Sequence, residues 1–197
     1  MSAADVAALV VGERQARDRG WWDRMADAYW PDSQVDLSWY TGDGPGFVAA
    51  SRAMSECGDL SVHRLSPPAV QVVRERAWAE VPAVIEIRTD VDGVLADLAS
   101  CTRIGYRCER RDGAWRILAL DCIYERDTIT AVLPGETVPL GAGALDRFRP
   151  AYAVLAWHLD RRGYTIGADL LGDDRPDERD AHYTRTLDWL RDTEGDL

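Results

Sequence analysis

Two Asp-Gly pairs, Asp92-Gly93 and Asp112-Gly113, constrain this chain more than any other feature. Each lies between long runs in which apolar and polar residues alternate. In that setting Asp-Gly supplies the two left-handed backbone conformations of a tight hairpin turn. Residues 76–89, 94–110 and 115–126 therefore read as three consecutive antiparallel strands. Strands of this length must curve to keep one face buried, and a curved sheet wrapped over helices leaves a hollow between them.

The elements before the meander supply the helices. Ser2 and Asp5 form a variant capping box, and Val6, Leu9 and Val10 follow at helical spacing. This helix should run to about Asp18 and stop at Gly20. A second spans 21–29, ended by Pro31. Residues 35–40 alternate as a strand, with Val35, Leu37 and Trp39 on one face. Gly42, Gly44, Pro45 and Gly46 make a loop, and 47–57 reads as a third helix. Short strands at 60–65 and 69–73 flank Pro67 and Pro68. The predicted fold is α+β: a cone-shaped, curved antiparallel sheet wrapped on three N-terminal helices.

Residues 1–130 form this cone. Residues 131–143, rich in Gly and Pro, read as a linker. Residues 144–197 read as a helical C-terminal extension, with helices at 145–162 and 177–192. The extension has little apolar surface and is expected to pack on the cone or on a partner subunit.

With 197 residues, 46% of them hydrophobic, the chain can bury a core without staples. The net charge of −11 argues against nucleic acid and anionic membrane surfaces as partners. Cys57, Cys101, Cys108 and Cys122 form no C-x-x-C pair and have no His at ligand spacing, so no metal is expected. No leader or membrane span is evident, and a cytoplasmic protein with reduced thiols is expected. No phosphate-binding Gly-rich loop or nucleophile elbow occurs in a suitable context, so no cofactor is expected.

Several segments carry a family likeness. Asp18-Arg-Gly-Trp-Trp-Asp-Arg-Met25 resembles the corner between the first two helices of SnoaL-like proteins, within the nuclear-transport-factor-2-like, cystatin-like superfamily. Ser61-Val-His63-Arg-Leu65 resembles the strand that carries a pocket histidine in scytalone dehydratases and bile-acid 7α-dehydratases. Cys108-Glu-Arg-Arg-Asp-Gly-Ala-Trp-Arg-Ile117 resembles the last hairpin, and Ile123-Tyr-Glu-Arg-Asp127 the end of the last strand. Arg162-Gly-Tyr-Thr165 is similar to a C-terminal extension of actinobacterial members. The likeness covers residues 5–128 and 144–172. The fold hosts many reactions, so the likeness implies the architecture and not one activity.

The resemblance implies three proton-handling residues. His63 is the only histidine of the cone, since His158 and His182 lie in the extension. Its imidazole is suited to proton transfer near neutral pH. Asp18 matches the pocket carboxylate that orients this imidazole. A carboxylate is also out of place at a helix C-terminus for structural reasons alone. Glu86 falls where a second proton-transfer residue is carried. The alternation of its strand opposes that placement: Ala77, Ala79, Val81, Ala83, Ile85 and Ile87 form the apolar face and turn Glu86 outward. A bulge near Pro82 would reverse the phase, and a cavity lined by the mixed face would also admit Glu86.

Trp22, Trp39, Tyr40 and Trp78 are candidate aromatic walls, and Thr102, Ile104 and Tyr106 share an inward face of the next strand. Ile104, Leu37 and Arg17 replace polar residues or tyrosines of the scytalone dehydratase pattern, which argues for a more apolar substrate or another reaction. The expected function is a cofactor-independent dehydratase, isomerase or cyclase of secondary metabolism. Its substrate would be a small, mostly apolar, oxygenated molecule of polyketide, steroid or terpenoid type. A non-catalytic small-molecule binder and a protein-interaction module are the alternatives. A homodimer through an open, apolar sheet face is expected, with a trimer as the other arrangement.

Overall fold

The computed structural model describes residues 2–192. Residues 193–197 of the expected extension lie outside the described residues. Helix α1 (Ala3–Arg19) opens with the Ser2 amide donating to Asp5 Oδ2 at 2.7 Å. It ends at Gly20, whose φ of 68° is the left-handed conformation that glycine adopts without a steric penalty. That turn leads into α2 (Trp22–Asp27) and leaves Asp18 in the last turn of α1. Next come β1 (Tyr29–Leu37), β2 (Tyr40–Asp43) and α3 (Gly44–Glu56). Asp43 caps α3 by accepting the Gly46 amide at 2.6 Å, and Pro45 occupies its first turn.

The meander follows as β3 (Val62–Leu65), β4 (Ala69–Val73), β5 (Arg76–Val91), β6 (Val94–Arg111) and β7 (Ala114–Ala131). Both Asp-Gly turns have positive φ at both residues, 51° and 90° at Asp92-Gly93 and 50° and 83° at Asp112-Gly113. The sheet runs β2-β1-β7-β6-β5-β3, with β4 also on β5, and β1 joins β7 in parallel. Small residues Ala77, Ala79 and Ala83 on the inner face of β5 allow α1 to lie close beneath, with Val6 and Val10 buried.

The register of β5 against β6 is unbroken from Arg76 to Val91, so no bulge forms at Pro82. The bulges lie instead between β6 and β7, at Cys101/Thr102 and Arg107/Cys108. At the first, Thr102 pairs with Tyr124 and Cys101 with Arg126, leaving Glu125 as the extra residue. Tyr124 faces inward, and without that insertion Asp127 would face outward. With it, Asp127 turns inward, and its Oδ2 accepts the Leu155 amide at 2.8 Å.

Asp127 thereby holds the start of α4 (Ala153–Arg161). The helix expected over 145–162 is shorter at its N-terminal side, where 145–150 form turns. Pro150 lacks the amide that a continuous helix needs and disfavours helical backbone at Arg149. Residues Val138, Leu140, Leu145 and Phe148 pack with Val91, Ala96 and Trp157 in a second small cluster. Gly172 then bridges to Tyr124 beside β7.

Helix α5 (Pro176–Arg191) lies on the outer sheet face. Tyr183 donates to Glu80 Oε2 at 2.5 Å and packs edge-on to Trp78, while Trp189 lies against Arg76 and Arg107. The remainder of that face carries ion pairs such as Arg64–Glu86 and Arg88–Asp97. The outer sheet face is thus partly covered by the chain's own helix and carries ion pairs beside the exposed Val62 and Leu95. No described helix is long and apolar enough to cross a membrane.

Candidate active site

The hollow between α1, the inner sheet face and α4 has a volume of about 220 Å³. Its walls come from Leu37, Trp39, Ile85, Ile104 and Leu155, with His63, Arg14 and Arg17 as polar members. The segment of α1 that faces it carries four charged residues, Glu13, Arg14, Arg17 and Asp18, compensated in three different ways.

Glu13 and Arg14 form a buried ion pair. Arg14 donates from Nε to Glu13 Oε2 at 2.7 Å and from Nη2 to Oε1 at 2.5 Å. Tyr29 and Tyr106 donate their hydroxyls to the same carboxylate at 2.8 and 3.3 Å. Four donors satisfy the carboxylate, which is what allows such a pair to be buried. Burial pushes both tyrosine hydroxyls well above their ordinary value and keeps them protonated donors.

Asp18 holds His63. One carboxylate oxygen accepts the His63 backbone amide at 2.7 Å, and the other lies 2.7 Å from the ring Nδ1. The His63 and Asp18 side chains are 5% and 11% exposed. Burial is the main influence on His63 and lowers its pKa to about 4, aided by the charges of Arg14 and Arg17 and opposed by Asp18. Burial raises the Asp18 pKa, but the bonds from His63 outweigh it and the net shift is downward. At neutral pH the pair is therefore a carboxylate and a neutral imidazole. An ionised carboxylate can only accept, so Nδ1 carries the proton and Nε2 carries the lone pair.

Arg17 lies beside them. It donates to Ser61 Oγ at 3.0 Å and stacks 5.8 Å from the Trp39 ring, with Asp18 Oδ1 at 3.9 Å. Burial, first, and Arg14, second, lower its pKa to about 10, so it stays charged at neutral pH.

His63 and Asp18 are brought together, and Trp39 and Ile104 line the hollow with His63. Glu86 is not brought there. His63 pairs with Ile85 across the β3–β5 ladder, so Ile85 and Ile87 share its inner face. Glu86 faces outward, 46% exposed in its side chain, and pairs with Arg64 at 2.9 Å. The unbroken phase of β5 corrects the expectation of a proton-transfer role.

The remaining candidates lie away from the hollow. Trp22 is half-buried at the start of α2 and packs against the main core. Tyr40 stacks on Trp39 and Phe47 and bonds the Asp43 carbonyl. Trp78 lies under α5 on the outer face. Thr102 is buried and bonds the Ala83 carbonyl, and Tyr106 serves Glu13.

Sequence reasoning did not assign Glu13, Arg14 or the α4 residues Leu155, His158 and Leu159 to the site, though all but Glu13 line it. A signal existed. Glu13, Arg14 and Arg17 continue the stripe begun by Val6 and Val10 at helical spacing, which places charge on a buried face. Among the described residues no cluster of three or more His, Cys, Asp or Glu is arranged to hold a metal ion.

A cone of curved antiparallel sheet over N-terminal helices, with a carboxylate–imidazole pair in its hollow, defines a cystatin-like, nuclear-transport-factor-2-like architecture. The family model described as a SnoaL-like domain matches residues 2–121, and the chain belongs to that family. A hexachlorocyclohexane dehydrochlorinase is similar in structure, with a TM-score of 0.57 and 18% identity, covering 68% of this chain and 96% of its own. A function-unknown protein from Mycobacterium tuberculosis gives 0.52 and 16%, covering 83% and 91%. A putative scytalone dehydratase from Novosphingobium aromaticivorans gives 0.51 and 13%, covering 69% and 91%. No curated protein matches the sequence.

Proposed function

We propose that this protein is a cofactor-independent acid–base enzyme that removes a proton from carbon in a small, largely apolar, oxygenated molecule. Elimination, isomerisation and ring closure can each proceed through such a step. The observation that carries the reading is the double hold of Asp18 on His63, which fixes a neutral Nδ1–H imidazole and leaves Nε2 free to act as the base. Asp18 also stabilises the imidazolium that forms, as the carboxylate of a catalytic triad does. The walls supplied by Leu37, Ile85, Ile104 and Leu155 exclude water from the reacting carbon.

The dehydrochlorinase and dehydratase names of the similar structures describe eliminations, in which proton loss accompanies departure of chloride or hydroxide. That chemistry suits a base without a cofactor. A hollow of about 220 Å³ lies below the ~300–1,000 Å³ of sites for drug-sized ligands. It favours a one-ring polyketide-like or terpenoid substrate over a four-ring steroid.

The test is a screen of small cyclic alcohols, ketones and halides for turnover or for hydrogen–deuterium exchange at carbon. Exchange in the wild type that disappears in His63→Ala is the expected result. Exchange that persists unchanged in a folded His63→Ala protein contradicts the reading.

A further inference from the structure

We propose that the hollow selects an anionic substrate, a carboxylate on a small apolar frame, and that Arg17 is the residue that selects it. The inference rests on reading the hollow as a substrate site, and does not require His63 to be a base.

Three arginines, Arg14, Arg17 and Arg162, border the hollow, and their partners differ. Arg14 is held by Glu13 through two donors at 2.5 and 2.7 Å. Arg162 is held by Asp59 at 2.5 Å. Arg17 has no carboxylate of its own. The nearest, Asp18 Oδ1, is 3.9 Å away, and that same oxygen lies 2.7 Å from His63 Nδ1. Its other partners are neutral: Ser61 Oγ at 3.0 Å, Met54 Sδ at 3.6 Å and the face of Trp39. Its Nε is buried without a hydrogen-bond partner.

A guanidinium whose side chain is 9% exposed is thus compensated mostly by neutral groups. Buried charge in that condition is unfavourable in the empty protein, and an oxygen anion entering the hollow relieves it. The planar fork of arginine fits a carboxylate in two-point geometry better than a lysine ammonium does. Asp18 does not repel such a ligand fully, because both of its oxygens are engaged by His63. The apolar walls then take the frame of the ligand.

The test is calorimetric titration of the full chain with benzoate, benzamide and benzyl alcohol, in wild type, Arg17→Met and Arg17→Lys. Near-ultraviolet circular dichroism checks that each variant is folded. Wild type should bind benzoate at least about tenfold more tightly than benzamide, the difference expected of one charge-assisted contact. Arg17→Met should erase the preference of benzoate over benzamide. Arg17→Lys should retain part of it.

Equal affinity for benzoate and benzamide in wild type overturns the proposal, as does no binding of benzoate or a preference that survives in Arg17→Met. The wild-type comparison decides the matter even if the methionine variant does not fold. Turnover of a neutral compound that depends on His63, with no benzoate preference, would leave the acid–base reading standing and remove this inference alone.

Discussion

Asp18 and His63, 45 residues apart in sequence, are joined at two points: both oxygens of one carboxylate engage one residue, its backbone amide and its ring Nδ1. The end of α1 is thereby pinned to the edge strand β3, and the imidazole is fixed in both orientation and tautomer. Neither group can be moved without the other, so structure and chemistry are coupled at this contact.

Loss of the ring should remove the base. His63→Ala is expected to lower kcat/KM by about 10²–10⁴-fold on any substrate found, the usual worth of positioned proton transfer. Asp18→Asn keeps one acceptor where two are needed and should cost at least about 10²-fold. Steady-state kinetics on folded variants measure both.

The pair should also shape acid stability. His63 titrates at about 4 when folded and at ~6.5 when unfolded. Between those values the unfolded chain binds more protons, so stability rises with pH through this window and is fully present above ~6.5. The contribution lost on acidification from pH 6.5 to 4 is on the order of 3 kcal/mol. Urea melts at several pH values should show a shallower acid-side loss in His63→Gln than in wild type.

Arg17 should contribute to the position of the acid limb of the rate profile, after burial of His63 and the charge of Arg14. Its charge is one of the influences that hold His63 low. In Arg17→Gln the pH at which kcat/KM falls on the acid side should move upward, toward the ordinary imidazole value, as a pH–rate profile would report.

Glu86→Gln should leave activity within about twofold and stability within ~0.5 kcal/mol, because an exposed ion pair with Arg64 contributes little. Kinetics and a thermal melt check this.

Asp127→Ala should loosen α4. Removing a cap typically costs ~1 kcal/mol. Since Leu155, His158 and Leu159 line the hollow, ligand affinity should fall with it, and amide exchange in α4 should quicken. Hydrogen-exchange mass spectrometry reads the second effect directly.

Much of the cone was legible in the sequence because its signals are local. The Asp-Gly pairs dictate the two hairpins, and Gly20 dictates the end of α1. The outward direction of Glu86 was legible as well, since plain alternation of β5 gives it; the competing argument required a bulge at Pro82 that the register does not contain. The bulge at Glu125 has no Gly or Pro to announce it, and it alone turns Asp127 toward α4. The depth of Arg14 and Arg17 was hidden for another reason. Charged residues on a helix usually mark its wet face, and only the stripe shared with Val6 and Val10 shows that here they do not.

The most direct measurement is the ¹⁵N chemical shift of the His63 ring nitrogens across pH, in the free protein. At neutral pH a protonated Nδ1 and an unprotonated Nε2 are expected, with titration only near pH 4. A proton on Nε2 at neutral pH, or titration at the ordinary histidine value, would show that Asp18 does not hold a base ready in the hollow.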